Sequence, residues 1–340
     1  MTAKDGTVMV ARSLEFAQDL HSNVRTSTQH RSFAYAAPNG QPGLAWKAKY
    51  GYVHVDGLDV DMTSDGMNEQ GLSFEYLYLP GETQYQSVPA GHERQALPYV
   101  NFGDWVLSNF KTVDEVKQAL SSVYVYPSKV AALGNAQMPL HASIYEASGK
   151  GIVVEFVKGQ VNVYDSVGVF TNSPQYPWHI ANLRNFVNLS PYNPQPVTVG
   201  NMIFAATGQG GGAVGLPGDY TPPSRFVKMA YLTRTALPVA DGASLLNLSN
   251  HIINTVDIPL GAVRAKEGTG PDVVELTQWV VFKDLTHKKF YYRFYADPTL
   301  RMIDMSKLDF SEGAKRLKMP IASPPFILDM TQAFQTRSVS

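Results

Sequence analysis

The chain has 340 residues, and its 28 Lys and Arg against 29 Asp and Glu leave a formal charge of −1. That balance argues against the concentrated basic surface that nucleic acids and anionic membranes attract, and no apolar run approaches the roughly 18 residues of a membrane-crossing helix. With 44% hydrophobic residues and no cysteine, the chain can bury a large core but has no disulfide, thiolate metal site or cysteine nucleophile of its own.

A turn at Lys4-Asp5-Gly6 precedes a first strand over residues 8–13, and a turn over residues 68–71 precedes a second, rich in Phe, Tyr and Leu, over residues 72–79. Thr112 with Glu115 forms a capping box ahead of Val113, Val116, Leu120 and Val123 at helical spacing. Residues 140–171 read as a strand meander, broken at Ser148-Gly149-Lys150 and Lys158-Gly159, in which Ile152, Val154 and Phe156 share a face. Helices are predicted over residues 178–189, over 224–237 behind the cap and first-position pair Thr221-Pro222, and over 242–255. A hairpin over residues 278–282 and 289–295 follows. The Pro- and Gly-rich stretches 79–98, 191–196 and 208–223 are short, so they read as loops inside one domain spanning 1–340. Long meanders with helices in separate blocks indicate an α+β fold of antiparallel sheets covered by helices.

Several motifs invite chemical readings. Asp61, Thr63, Asp65 and Gly66 match early positions of a calcium loop, but its twelfth position is Leu72 instead of a bidentate Glu, so a turn is expected. The glycine run 208–219 lacks the Lys-Ser/Thr ending of a phosphate loop and is expected to form an irregular loop near a pocket. Eight histidines are scattered without metal-ligand spacing; His141, inside a strand, and His179, near a helix start, read as hydrogen-bonded packing residues. No Gly-x-Ser-x-Gly elbow marks a serine nucleophile. Arg12 and Glu15 fall near the end of the first strand. Arg225 falls in the first helical turn after Thr221, where a cation opposes the macrodipole at a cost of some tenths of a kcal/mol. A surface ion pair is the plain reading of such an arginine.

One ordered set of segments is more specific than any of these. Lys4-Asp5-Gly6, Arg12-Ser13-Leu14-Glu15, Asp65-Gly66-Met67-Asn68-Glu69-Gln70-Gly71-Leu72, Leu140-His141 and the stretch 149–155 come first. Thr171-Asn172-Ser173-Pro174 with Trp178-His179, Gly208-Gln209-Gly210, the stretch 215–222, Ser224-Arg225-Phe226 and Ile303-Asp304-Met305 follow. In this order and spacing the chain resembles the choloylglycine hydrolase family, which includes conjugated bile acid hydrolases and penicillin V acylases.

The resemblance implies a four-layer αββα sandwich of two antiparallel sheets, the fold of the N-terminal-nucleophile hydrolases, assembled as a homotetramer without cofactor or metal. It implies cleavage of a linear amide by an amino-terminal cysteine whose own α-amine is the base, on a small-molecule substrate with a bulky apolar acyl group. Arg12 then matches the arginine beside the thiol, Glu15 the aspartate that orients the amine, and Arg225 the second site arginine. Tyr78 matches the position whose backbone N–H helps bind the oxyanion, Asn172 the side-chain donor, and Leu14 an apolar substrate-binding position. Asn172 is expected at the end of a strand rising through Val169 and Phe170.

Two departures stand out. Glu15 is one methylene longer than the family's aspartate. The family's cysteine falls about five residues before Met1, and Thr2, about 20 Å along an extended strand from that position, is a poor substitute. The chain as it stands is therefore expected to be inactive or nearly so, either because its start was placed late or because it is a degenerate member that binds amphipathic acyl ligands without turnover. Tyr78 stands where penicillin V acylases tend to carry tyrosine and bile acid hydrolases asparagine, and long-chain acyl-homoserine lactones are a third substrate class. The loop over residues 190–200 has about the family's length where subunits interlock. The compartment is open: cytoplasmic, or periplasmic or secreted if a leader was removed with the N-terminus.

Overall fold

A computed structural model describes residues 1–266, 268 and 270–336. Alternating apolar residues build two antiparallel sheets. The larger runs Gln160–Asp165, Gly151–Val157, Leu140–Tyr145, Ser73–Tyr78, Val60–Asn68, Tyr52–Gly57, Asn23–Ser27 and Lys318–Pro320 in spatial order. The smaller runs Met9–Phe16, Asp272–Asp284, Lys289–Phe294 and Asp297–Asp304, with Val263–Lys266 also pairing along the long strand Asp272–Asp284.

The sheets stack face to face. Val53, Val55 and Met67 of the larger meet Leu14, Trp279, Val281 and Phe290 of the smaller in one buried cluster. On its other face the larger sheet packs Phe74, Ile144, Val154 and Phe156 against Phe102, Val106, Val113 and Val116, which lie on the helices Phe102–Asn109 and Val113–Ala119. The smaller sheet turns Met9, Val280 and Phe282 outward onto Leu245 and Ile253 of the helix Gly242–Asn254. Each such fully buried apolar side chain contributes about 1.5–3 kcal/mol. The result is the expected α+β sandwich: helices, sheet, sheet, helices. Among the described residues no helix is long and apolar enough to cross a membrane.

Local readings meet tertiary corrections. Thr112 Oγ1 accepts from Glu115 N at 3.2 Å as a capping box requires, but the Glu115 carboxylate takes Lys111 N, not Thr112 N. At Thr221 the cap is replaced: Asp219 accepts from Thr221 N at 2.9 Å and from Ser224 Oγ at 2.6 Å. The calcium-like stretch is no turn; it forms the strand Val60–Asn68, with Asp65 turned into the sandwich. The meander stops at Asp165, six residues short of the expected Thr171.

Candidate active site

Strand Met9–Phe16 is an edge strand. Asp272–Asp284 pairs with one side of it; on the other, Met1 bonds Met9 and Thr2 pairs with Val8. Beyond Met9, no partner occupies that edge among the described residues, and it opens onto a cavity of about 540 Å³. Alternation points Arg12 and Leu14 to the inner face and Glu15 to the outer face, yet at an edge both faces border the same space, and all three line the cavity. A bulge sharpens this bend: Leu14 pairs with Trp279 but Glu15 with Thr277, so Gln278 is extra, and its side chain bonds Phe16 O and Gln18 O.

The expected site residues converge. Glu15 Oε1 accepts from Thr277 Oγ1 at 3.0 Å, while its Oε2 meets Arg225 Nη1 at 3.3 Å. Arg225 Nη2 donates to Asn172 Oδ1 at 2.6 Å, and Asn172 Nδ2 donates to Tyr78 O at 2.8 Å. Arg12 Nη2 donates to Tyr76 O at 2.8 Å, with the guanidinium 4.7 Å from the centre of the Trp279 ring. All six expected residues, Arg12, Leu14, Glu15, Tyr78, Asn172 and Arg225, line this cavity. Arg225 is no surface ion pair: its side chain is 13% exposed, and two accepting oxygens, one from the Glu15 carboxylate and one from the Asn172 amide, offset its place in the first turn of Pro222–Thr235. Phe16 and Tyr78 meet edge to face at 6.3 Å, and with Leu20, Leu58, Met62 and Leu140 they give the cavity an apolar lining beside its polar groups.

Asn172 is not mounted on a strand. Residues 166–172 carry no regular structure, and hydrogen bonds hold them instead. His179 Nε2 donates to Asn172 O at 2.9 Å, and Ser173 Oγ donates to Pro80 O at 3.0 Å. The His179 ring stacks on Phe226 at 4.8 Å. Its helix, Tyr176–Asn182, is anchored where Tyr176 N donates to Glu155 Oε1 at 2.8 Å, and the same oxygen meets His141 Nδ1 at 3.1 Å. Burial lowers the pKa of both histidines, favouring the neutral form that can donate from one ring nitrogen. The sequence places Glu155 only at the end of the matched stretch 149–155; a lone acid inside an otherwise apolar strand is the further signal that marks it.

Other candidates lie farther off. Thr2 borders the far end of the same cavity, opposite Val8, four strand positions or about 13 Å before Arg12. The glycine run 208–219 is an irregular loop as expected, but none of its residues lines the cavity.

Two stacked antiparallel sheets between helical layers, with a polar cluster gathered at the free edge of the first strand, define an N-terminal-nucleophile hydrolase fold. The description "Linear amide C–N hydrolases, choloylglycine hydrolase family" matches residues 1–317, and the chain belongs to that family. It is 38% identical over 312 residues to a bile salt hydrolase/transferase of Clostridium perfringens, covering 90% of this chain and 91% of that one. A solved mutant of the conjugated bile acid hydrolase from Clostridium perfringens superposes with a TM-score of 0.84 at 29% identity, covering 97% of this chain and 98% of the other. Penicillin V acylase from Agrobacterium tumefaciens superposes at 0.75 with 25% identity, covering 95% and 90%.

Proposed function

We propose that the complete protein hydrolyses a linear amide whose acyl part is bulky and apolar, with a cysteine supplied by residues ahead of Met1 as nucleophile. The observation that carries this reading is the chain of contacts Glu15–Arg225–Asn172–Tyr78, which lines one cavity with Arg12 at a strand edge that has no partner beyond Met9 among the described residues. Met1 faces Met9 and Thr2 faces Val8. Continuing that antiparallel register backward, a residue about five positions before Met1 falls opposite Leu14, next to Glu15.

In this reading the upstream strand completes the sheet and carries its terminal amine to Glu15. Arg12 favours the thiolate by charge. Attack on the amide carbonyl forms a carbon–sulfur bond and pushes charge onto oxygen; the Tyr78 backbone N–H and the Asn172 amide then receive that oxyanion, Asn172 exchanging its bond to Tyr78 O for it. Arg225 holds both Glu15 and Asn172 in place. Collapse of the intermediate expels the amine, which takes a proton from the α-ammonium, and water releases the acyl group. The apolar wall of Phe16, Leu20, Leu58 and Met62 takes the acyl part. The relatives favour bile acid conjugates, and the aromatic edge made by Phe16 and Tyr78 favours an aryl acyl group such as that of penicillin V.

The test is to read the frame upstream of the Met1 codon and express the protein with any cysteine found there as its first residue. Glycine release from glycocholate and 6-aminopenicillanic acid release from penicillin V, each abolished by exchange of that cysteine for alanine, are the expected results. An upstream frame without cysteine, or a cysteine-bearing protein that binds these ligands without turnover, would replace this reading with that of a binding protein.

A further inference from the structure

Four charged side chains meet between the two sheets, and only Arg12 among them has a part in the reaction proposed above. Asp65 and Glu75 are direct cross-strand partners on adjacent strands of the larger sheet, so two carboxylates face the sandwich side by side. Opposite them, Lys283 stands on the smaller sheet, paired with Val10, while Arg12 pairs with Val281; the two cations are therefore diagonal neighbours on one face. Lys283 Nζ donates to Asp65 Oδ1 at 2.7 Å and to Glu75 Oε1 at 2.5 Å, and Ser143 Oγ donates to Glu75 Oε2 at 2.6 Å. Lys283, Asp65 and Glu75 are all at least 98% buried.

Arg12 stands apart from this exchange. Its Nη1 lies 4.0 Å from Asp65 Oδ2, beyond hydrogen-bond reach, and its Nε and Nη1 have no partner, nor has Asp65 Oδ2. A buried guanidinium with only a carbonyl on Nη2, a step away from an unsatisfied carboxylate oxygen, would ordinarily close that gap. Lys283 instead takes one oxygen of each carboxylate and neutralises the pair. Burial raises the pKa of the Asp65 carboxyl, and the neighbouring Glu75 adds to the rise while Lys283 opposes it.

We infer that Lys283 is a positioning residue for Arg12: by occupying Asp65 and Glu75 it keeps the Arg12 guanidinium uncommitted and directed at the cavity. A lysine suits this task because its compact ammonium carries three donors, enough for both carboxylates at once. The inference rests on the role proposed for Arg12, but its primary test does not. In Lys283→Met, Arg12 is expected to swing onto Asp65, so that a crystal structure shows a direct ion pair in place of the 4.0 Å gap and the Arg12 Nε–H resonance of selectively labelled protein shifts. In the triple variant Lys283→Met, Asp65→Asn, Glu75→Gln the attracting carboxylates are gone, and the Arg12 resonance is expected back near its wild-type position.

The triple variant also covers the case in which the single variant does not fold. A folded single variant with Arg12 unmoved, or a triple variant with Arg12 still displaced, overturns the inference. Penicillin V and glycocholate titrated calorimetrically give the second readout: binding about tenfold weaker or worse in the single variant and recovered in the triple. A role confined to stability would lower the melting temperature of both variants while leaving affinity and the Arg12 signal alone. Failure of the wild-type chain to bind either ligand would count against the proposed function, while the Arg12 structure and spectrum would still decide the role of Lys283.

Discussion

Arg225 Nη2 donates to Asn172 Oδ1 at 2.6 Å, and this contact ties the outer helical layer to a segment with no regular structure of its own. The other prong of the fork holds Glu15 on the edge strand. One side chain thus couples three parts of the chain that are far apart in sequence.

Removing that fork is expected to be costly even without catalysis. Arg225→Ala leaves Glu15 with Thr277 alone and frees Asn172 Oδ1, and a hydrogen bond to a charged group is worth about 1.5–3 kcal/mol. Urea unfolding of this chain should show a loss of that order, and Arg225→Lys should recover only part of it because an ammonium cannot span both partners. A loss within experimental error would show that these contacts are not held in solution.

Asn172 is expected to act on the transition state. In the cysteine-bearing protein, Asn172→Ala should lower kcat by about 10²–10³ with little change in KM. A rise in KM at constant kcat would make Asn172 a ground-state binding residue instead.

His54 predicts a pH dependence of folding. It is wholly buried, neither ring nitrogen has a hydrogen-bond partner, and burial lowers its pKa from 6.5 to about 3. The folded state keeps the neutral ring, whereas the unfolded chain takes up a proton below about pH 6.5. This contribution is therefore whole above pH 6.5 and is lost as pH falls toward 3. Relative to His54→Phe, the wild-type folding equilibrium should weaken by about tenfold for each pH unit below 6.5. Denaturant titrations of both proteins at pH 7.5, 6.0 and 5.0 measure it, and parallel curves would exclude the effect.

The hairpin Val197–Val199 with Met202–Phe204 carries apolar side chains that are all exposed, Ile203 to 73%. Val197, Val199, Met202 and Phe204 share one face of the hairpin, and an exposed apolar face of this kind marks an association surface; the strand Val197–Val199 lies within the loop 190–200 expected to interlock subunits. We expect a homotetramer by light scattering and a smaller species for the double variant Met202→Asp, Phe204→Asp. A monomeric wild-type chain would remove this expectation.

Much of the architecture was legible because it follows from local rules. Ile152, Val154 and Phe156 alternate as a strand with one face buried in the outer core, and residues 242–254 carry an amphipathic helix, Gly242–Asn254. The helix Phe102–Asn109 escaped notice because residues 102–108 are buried on every side and show no polar stripe. The apolar neighbours Val169 and Phe170 suggest a strand ending at Asn172; they instead pack against Tyr176 and Phe226, and His179 supplies the mount.

The amino-acid order by itself determined an α+β fold of antiparallel sheets through periodicity and turn chemistry, and the family, with its two-sheet sandwich, through an ordered set of motifs, since all of these are local properties of a chain. Which side chains touch was decided only by the packed molecule. Lys283 meets Asp65 and Glu75, and Glu155 grips both His141 and the helix of His179. Such pairings depend on the register between strands and on how two sheets stack, and no window of neighbouring residues contains that information.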